Sequence, residues 1–319
     1  MNELTPSSDD TTAALNALRN HINSRLIGQT RVVDQVLIAL LAAGHVLIEG
    51  VPGLGKTLLV QTLASGIGGH FKRIQFTPDL MPGDVTGHVM FDMAQGKFVL
   101  KQGPVFTNLL LADEINRAPA KTQAALLEVM QERQVTLDGK SMEVGDPFMV
   151  LATQNPIEQE GTYALPEAEL DRFIIKINID YPGAADEVLI ATRYALESFG
   201  GEAEQGGQLL DVHAAQDQCR GVEVDARVAE YAVELVRATR GTTLLRHGAG
   251  PRASIALLRC AKALALINGM GFITPDDVKA MVLPVLRHRV ILAPEVEIDG
   301  LGVDDVLRNL LDKVDAPRS

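Results

Sequence analysis

The chain has 319 residues, more than a single hydrophobic core usually supports, so two domains are expected. Hydrophobic residues make up 46% and charged residues 22%, which is typical of a folded globular protein and excludes wholesale disorder. The 29 Lys and Arg residues against 41 Asp and Glu residues give a formal charge of −12. This balance argues against extensive nucleic-acid binding, because neutralising phosphates requires a surplus of basic side chains.

The apolar stretches, the first residues and the cysteines of the sequence favour a cytoplasmic protein without a membrane span. The longest apolar stretch, Val36–Ile48, is interrupted by Gly44 and His45 and is shorter than the roughly 18–20 residues of a membrane span. The first residues have neither the basic nor the apolar region of a signal peptide. The two cysteines, Cys219 and Cys260, stand in helix-like sequence and are expected to remain reduced.

Strands and helices alternate up to residue 182, after a polar segment of residues 1–12 that is predicted to be a flexible terminus. Strands are predicted at residues 45–49, 72–76, 108–112, 148–153 and 173–179, with helices at 31–43, 58–64 and 121–131. Continuous apolar strands separated by helices indicate a parallel sheet flanked by helices. Alternating residues around Asp138-Gly139 predict a β-hairpin, and residues 88–100 show a similar pattern.

Beyond residue 182 the strand-like runs disappear and helical patterns dominate. Asp225 is the predicted N-cap of one helix, Pro251 opens another, and Thr274 followed by Pro275 marks the start of a third. We therefore predict a larger α/β domain at residues 13–182 and a smaller helical domain at residues 183–319.

A glycine-rich loop joins the first predicted strand to the next helix. Gly50-Val-Pro-Gly53-Leu-Gly55-Lys56-Thr57 fits the phosphate-loop pattern G-x-x-x-x-G-K-[ST]. Its glycines let backbone N–H groups converge on an anion, and the helix offers the positive end of its dipole. Lys56 would neutralise the β- and γ-phosphates, and the Thr57 hydroxyl would bind Mg²⁺. The predicted nucleotide-binding residues here are Gly50, Pro52, Gly53, Leu54, Gly55, Lys56, Thr57 and Leu58.

Two carboxylates end the apolar run at residues 109–112, namely Asp113 and Glu114. Ligands bind at the carboxyl ends of parallel strands, so Asp113 is predicted to hold Mg²⁺ through its water shell. Glu114 is the predicted general base for the attacking water. The alternative, a pair of acids that caps a loop, is disfavoured by the phosphate loop upstream.

Three further polar residues complete the candidate site. Asn155 follows a predicted strand, and its amide could bind the γ-phosphate or the attacking water; a turn residue before Pro156 is the alternative. Arg172 precedes the last strand of the first domain, and Arg252 begins a helix of the second. Arginine stabilises the charge on a transferring phosphoryl group within one chain or between chains, although either residue could instead form a surface ion pair.

This order of motifs resembles the AAA+ ATPases, and three segments resemble the MoxR family in particular. They are Leu111–Pro119, Ala152–Pro156, and Glu158–Thr162 continuing through Asp171–Phe173. The similarity covers roughly residues 20–315. It implies a P-loop AAA+ core with a parallel sheet flanked by helices, followed by a smaller all-helical lid domain.

The resemblance also implies roles for individual residues. Asn155 would be sensor 1, Arg172 the arginine finger that reaches a neighbouring subunit, and Arg252 sensor 2. Residues 26–29, including Ile27 and Gly28, match the segment that contributes to the adenine pocket. A last match, Arg117, is expected at the junction between subunits.

By the same resemblance, the protein is a Mg²⁺-dependent ATPase forming a homo-oligomeric ring, expected to be a hexamer. It would remodel or mature partner complexes as a chaperone does, together with a client or a protein bearing a von Willebrand factor type A domain. Hairpins within residues 84–100 and 134–148 would project towards the ring pore, with Phe91 and Phe98 packing the first. Two alternatives stay open. A nucleic-acid or transcription motor is disfavoured by the acidic composition, and a scaffold without hydrolysis is disfavoured by the Asp-Glu pair.

Overall fold

The computed structural model describes residues 8–93, 96–155, 163–196 and 207–317. In these ranges the α-helices are α1 (Ser8–Arg25), α2 (Thr30–Leu41), α3 (Lys56–Gly66), α4 (Pro82–Thr86), α5 (Ala120–Glu132), α6 (Glu167–Leu170), α7 (Ala184–Leu196), α8 (Val212–Gly221), α9 (Ala226–Ala238), α10 (Pro251–Ile267), α11 (Pro275–Leu286), α12 (Pro294–Ile298) and α13 (Val303–Leu311). The strands are β1 (His45–Glu49), β2 (Phe71–Gln75), β3 (Gly87–Asp92), β4 (Lys97–Gln102), β5 (Leu109–Asp113), β6 (Gln134–Leu137), β7 (Lys140–Glu143), β8 (Met149–Gln154), β9 (Phe173–Asn178), β10 (Leu245–His247) and β11 (Ile291–Leu292).

The centre of the fold is a five-stranded sheet in the order β2-β5-β8-β1-β9, and every neighbouring pair is parallel. The parallel sheet predicted from the apolar runs is therefore confirmed. Because the strands all run the same way, their carboxyl ends share one edge of the sheet and their amino ends share the opposite edge. The phosphate loop and the Asp-Glu pair both lie at the carboxyl edge.

Each face of the sheet is covered by a hydrophobic layer. Successive side chains of β1 alternate between the layers, so that Val46 and Ile48 join one core and Leu47 joins the other. The first core includes α1, α2, α3 and the helices from α8 onwards, and the second includes α5. The predicted boundary near residue 182 stays a prediction, because the first core runs without interruption from α2 to α10.

The second part of the chain is mainly helical and begins its helices where the sequence indicates. Asp225 accepts a hydrogen bond from the Arg227 N–H at the start of α9, and Thr274 forms a capping box with Asp277 at the start of α11. The expectation of an all-helical lid needs one correction, since β10 and β11 pair as a short antiparallel ribbon. Strands of three and two residues are too short to show a period-two pattern.

Two antiparallel hairpins, β3–β4 and β6–β7, occupy the predicted places. Asp138 and Gly139 both have positive φ angles, 51° and 73°, as a two-residue type I′ turn requires. Phe91 and Phe98 stand opposite each other, with ring centroids 5.2 Å apart in an edge-to-face arrangement. The predicted packing between these rings is confirmed, and the orientation of the hairpins in a ring stays a prediction.

The N-terminal segment differs from its prediction. Helix α1 begins at Ser8, so residues 8–12 are helical rather than loose. Leu15, Leu18 and Ile22 are buried against the first core, and this packing stabilises the polar first turns that local sequence alone does not favour. The motif Glu158–Thr162 lies outside the described residues. In the described part of the chain, no helix combines the length and apolar character that crossing a membrane demands.

Candidate nucleotide site

The phosphate loop connects β1 to α3 in a conformation that only glycine adopts without strain. Gly53 and Gly55 have φ angles of +86° and +76°. A Cβ atom at Gly50 would lie 2.5 Å from the backbone oxygen of Ile179, so a side chain is excluded there as well. The Lys56 ammonium lies over this loop and donates a hydrogen bond to the Gly50 carbonyl at 2.7 Å. Its charge therefore stands at the amino end of α3, where the helix dipole also favours an anion.

Asp113 is buried at the carboxyl end of β5 and both of its oxygens accept hydrogen bonds. The Thr153 hydroxyl donates to Oδ1 at 3.2 Å, and Arg73 Nε donates to Oδ2 at 2.6 Å. Burial lowers the pKa of Lys56, and the carboxylates of Asp113 and Glu114 oppose this decrease. The carboxylate and the ammonium thus lie in one electrostatic neighbourhood, as a site for a metal-bound phosphate requires.

Glu114 follows in a left-handed conformation with φ of +55°. Its N–H donates to the Thr153 hydroxyl at 2.9 Å, so one threonine positions both acids of the pair. The carboxylate accepts two hydrogen bonds on Oε2, from Gln75 Nε2 at 2.7 Å and from Arg117 Nη1 at 2.9 Å. Positive φ at a residue other than glycine is strained, and such strain is concentrated at functional sites.

These side chains surround one open cavity of about 430 Å³ at the carboxyl edge of the sheet. Predicted residues that line it are Gly50, Pro52, Gly53, Gly55, Lys56, Thr57, Leu58, Asp113, Glu114 and Asn155. Asn155 is buried immediately after β8. The structure therefore brings together residues that the sequence separates by about one hundred positions.

A second cavity of about 440 Å³ continues from the first through Pro52, Gly53, Gly55 and Leu58, which line both. It is mainly apolar, and the predicted residues Ile27 and Leu54 contribute to its wall. Gly28 lies behind that wall, where a Cβ atom would come within about 3 Å of Pro182 and Asp186. The pair of cavities provides a polar half for phosphates and an apolar half for a base.

Arg172 and Arg252 lie at the opposite edge of the sheet. Arg172 directly precedes β9, whose six residues at ~3.3 Å each separate it by roughly 20 Å from the carboxyl edge. Both arginines line a third cavity of about 340 Å³ together with Arg289 and Asp171. Arg252 Nη1 lies 3.9 Å from Asp171 Oδ2. The structure thus places these two predicted residues away from the phosphate loop of their own chain.

Asp171 is held firmly at this edge by Arg289, whose side chain is only 4% exposed. Arg289 donates to Asp171 Oδ1 at 2.7 Å and to the Phe173 carbonyl at 2.7 Å. Burial lowers the pKa of Arg289, and the hydrogen bond that Arg289 donates to Asp171 opposes this decrease. The backbone on either side of Arg172 is therefore fixed by a buried ion pair.

Sequence reasoning missed three polar residues of the site, namely Arg73, Gln75 and Thr153. Arg73 and Gln75 stand on the same face of β2, which pairs with β5 so that Gln75 lies opposite Asp113. This register joins positions 38 residues apart in the chain and leaves no local signal. Arg117 was expected at a subunit junction; it contacts Glu114 in its own chain, and the junction role stays a prediction.

The fold and the site define a class of protein. Residues 45–175 match the family model described as "ATPase family associated with various cellular activities (AAA)", and residues 237–310 match the "AAA lid domain". A parallel sheet with a phosphate loop, an Asp-Glu pair and a following helical lid is the architecture of an AAA+ ATPase.

Within that class, the chain belongs to the MoxR family. Chaperone MoxR1 of Mycobacterium tuberculosis is 43% identical over 305 residues, covering 92% of this chain and 80% of that protein. Protein MoxR of Paracoccus denitrificans is 32% identical over 303 residues, covering 86% and 88%. A crystal structure from Cytophaga hutchinsonii, provisionally described as an ATPase, superimposes with a TM-score of 0.90 at 38% identity and covers 98% and 97% of the two chains.

Proposed function

We propose that this protein hydrolyses ATP in a Mg²⁺-dependent reaction at the carboxyl edge of its sheet. The observation that carries the proposal is the convergence of the phosphate loop, the Asp-Glu pair and Asn155 on one cavity, beside an apolar cavity of similar size. This pair of compartments suits a nucleoside triphosphate better than a small anion.

The oxygen atoms that line the cavity suit Mg²⁺. The Thr57 hydroxyl and the Asp113 carboxylate line the same cavity and are oxygen ligands of the kind that Mg²⁺ prefers. When bound, Mg²⁺ supplies positive charge to the β- and γ-phosphates. Lys56 binds those phosphates from the other side, so the anion is held by the loop N–H groups, the ammonium and the helix dipole together.

Glu114 performs the proton transfer. A water attacks the γ-phosphorus, the bond to the oxygen bridging the β- and γ-phosphates breaks, and Glu114 accepts the proton of the water. ADP and inorganic phosphate are the products. Gln75 and Arg117 both donate to Oε2 of Glu114, so the other carboxylate oxygen, Oε1, can accept the proton of the water while these two hydrogen bonds hold the side chain. Asn155 is placed to bind the γ-phosphate or the attacking water through its amide.

Arg172 and Arg252 complete the site of a neighbouring copy. The ~20 Å length of β9 prevents Arg172 from reaching its own phosphate loop, whereas the amino edge of one chain can face the carboxyl edge of the next. Such a contact uses two different surfaces and closes into a ring when the rotation permits. We infer a homo-oligomeric ring, with six copies as the expected number.

The wider role that we propose is chaperone-like remodelling or maturation of partner complexes in the cytoplasm. The name Chaperone MoxR1, carried by a relative 43% identical to this chain, supports that role. A client complex or a protein with a von Willebrand factor type A domain is the proposed partner.

The Glu114→Gln variant tests the proposed chemistry. Calorimetry with ATP and Mg²⁺ should show unchanged binding, while phosphate release should decrease by about 10²–10⁴-fold, because the amide cannot accept the proton. Glu234→Gln, an exposed position on α9, is the matched control and should behave like the unmodified protein. Near-normal turnover by Glu114→Gln would exclude this residue as the base, and absence of ATP binding to the unmodified protein would overturn the proposed function.

A further inference from the structure

Strand β9 begins with an irregular pairing, directly after Arg172. His45 of β1 stands opposite Phe173, but the next residue of β1 stands opposite Ile175. Ile174 is therefore an extra residue on β9, which is the arrangement of a β-bulge. Bulges bend a strand and redirect the side chains beside them, and they are frequent next to functional sites. The geometry of this bulge therefore sets the direction of the chain at Arg172.

Arg289, which follows α11, binds the chain on both sides of Arg172. Its Nη2 donates to the Phe173 carbonyl at 2.7 Å and to the Asp171 carbonyl at 3.3 Å. Its Nη1 donates to the carbonyl of the extra residue, Ile174, at 3.0 Å, and its Nε donates to Asp171 Oδ1 at 2.7 Å. One planar guanidinium thus binds four acceptors between residues 171 and 174. It satisfies the carbonyl of the bulge, which a regular strand pairing does not reach.

The side chain of Arg172 has no such support of its own. It is partly exposed, and its guanidinium forms no hydrogen bond or ion pair with the part of the chain that the structure describes. Its position therefore depends on the backbone that carries it. A displacement of about 1 Å in a catalytic group can reduce a rate by about 10²-fold, so this backbone needs to be held firmly.

A second ion pair of the same kind, Arg287–Asp304, provides a comparison. Its arginine and aspartate side chains are 7% and 27% exposed, against 4% and 27% in the pair of Arg289 and Asp171. Arg287 also donates to the backbone of β9, but at the Lys176 carbonyl, 3.4 Å away and in the other half of the strand. Both pairs therefore connect the end of α11 to β9, and they differ in which part of the strand they hold.

We propose that Asp171 and Arg289 are positioning residues for Arg172: they hold the bulged start of β9 in the geometry that directs this guanidinium to the nucleotide site of the adjacent copy. Arg289 belongs to the helical part of the chain, so this part contributes to hydrolysis by the neighbour through the backbone of β9. The inference rests on the proposed function, because it requires Arg172 to act across the junction between copies.

The Arg289→Lys variant tests the positioning role. It keeps the positive charge, but an ammonium on a flexible stem cannot bind the same acceptors in the fixed geometry of a guanidinium. Phosphate release should decrease by about 10²-fold, whereas calorimetric binding of ATP with Mg²⁺ should be unchanged, because the chain's own nucleotide site lies at the other edge of the sheet. Arg287→Lys is the matched control: it should unfold in urea like Arg289→Lys and keep near-normal turnover. Equal turnover by the two variants would overturn the proposal.

Mixing experiments separate positioning from a general loss of structure. In a 1:1 mixture of Arg289→Lys with Glu114→Gln, some junctions combine the intact nucleotide site of the first variant with the correctly held Arg172 of the second. Random assembly produces them at about one quarter of all positions, so about a quarter of the unmodified activity should return. In a mixture with Arg172→Ala no junction is intact, and turnover should not exceed that of Arg289→Lys alone. Recovery with Arg172→Ala, or no recovery with Glu114→Gln, would overturn the proposal.

Asp171→Asn, with Asp304→Asn as its control, repeats these measurements from the side of the carboxylate. It leaves Arg289 and its backbone acceptors in place, so it serves as the test should Arg289→Lys fail to fold. A neutral amide accepts a weaker hydrogen bond than a carboxylate, and phosphate release should decrease by at least about tenfold. Normal turnover by Asp171→Asn, or recovery of activity when it is mixed with Arg172→Ala, would contradict the positioning role.

The outcomes separate this proposal from the proposed function. If Arg172→Ala and Glu114→Gln restore activity to each other while Arg289→Lys behaves like its control, the positioning role alone is overturned. If Arg172→Ala and Glu114→Gln restore no activity to each other, the action of Arg172 across the junction and its positioning are overturned together, and hydrolysis by the unmodified protein still stands. Absence of ATP binding would overturn the proposed function itself.

Discussion

Arg172 and Glu114 should complement each other between copies of the chain. Alone, Arg172→Ala should lose about 10³–10⁵-fold in turnover, and Glu114→Gln about 10²–10⁴-fold. In a 1:1 mixture, some junctions combine the nucleotide site of an Arg172→Ala copy, which keeps Glu114, with the Arg172 side chain of a neighbouring Glu114→Gln copy. Such a junction has both catalytic groups. Random assembly produces such junctions at about one quarter of all positions, so the mixture should recover about a quarter of the unmodified activity.

The roughly 20 Å between Arg172 and its own phosphate loop is the reason for this expectation. If Arg172 acted within its own chain, both members of the mixture would keep a defective site and no activity would return. The assay is steady-state phosphate release after subunit exchange at low nucleotide concentration, over a range of mixing ratios. Arg308→Ala, an exposed position on α13, replaces Arg172→Ala in the control and should itself be fully active. A mixture no more active than the sum of its components would refute the reasoning.

Three further predictions concern positioning and stability. Thr153→Val leaves the partly buried N–H of Glu114 without its acceptor and should lower the free energy of unfolding in urea by about 1–3 kcal/mol, while raising the Mg²⁺ concentration needed for half-maximal turnover. Burial lowers the pKa of His45 from 6.5 to about 4, so the unfolded state binds the proton at a higher pH than the folded state does. The free energy of unfolding should therefore decrease by about 3 kcal/mol in total as the pH falls from about 6.5 to about 4. Urea titrations at a series of pH values should show that the free energy of unfolding changes less with pH in His45→Gln than in the unmodified protein over the same range. Arg289→Met removes the buried partner of Asp171 and should lower the free energy of unfolding by about 3 kcal/mol, whereas Arg308→Met should change it little.

Much of the candidate phosphate-binding site could be predicted because short, continuous stretches of the sequence specify its parts. The loop from Gly50 to Thr57 specifies its own conformation through glycines, and the apolar run before Asp113 specifies a buried strand that ends at that residue. Parallel pairing then brings the strand ends together without any further signal. For the same reason Asn155, directly after β8, reaches the predicted cavity.

The remaining features depend on contacts between distant segments. Arg73 and Gln75 belong to the site only because β2 lies beside β5 in a particular register, which no local pattern records. The ribbon of β10 and β11 joins segments more than forty residues apart and has too few residues for a recognisable period. Helix α1 was not predicted from its polar sequence, and burial of Leu15 and Leu18 against the first core is what stabilises it.

A single strand connects the two functional edges of the chain. Arg172 precedes β9, and after the last residue of that strand Ile179 donates its N–H to the Glu49 carbonyl at 2.8 Å, next to the phosphate loop. The chain then enters α7, which lines the apolar cavity on one side and presents Val188 on the other. A β-strand paired within a sheet is stiff, so a displacement of Arg172 by a neighbour's phosphates would reach the base of the chain's own phosphate loop through six residues. In the proposed ring, the parallel sheet would therefore separate the catalytic groups between copies and would also give each copy a short mechanical connection from its neighbour's nucleotide to its own.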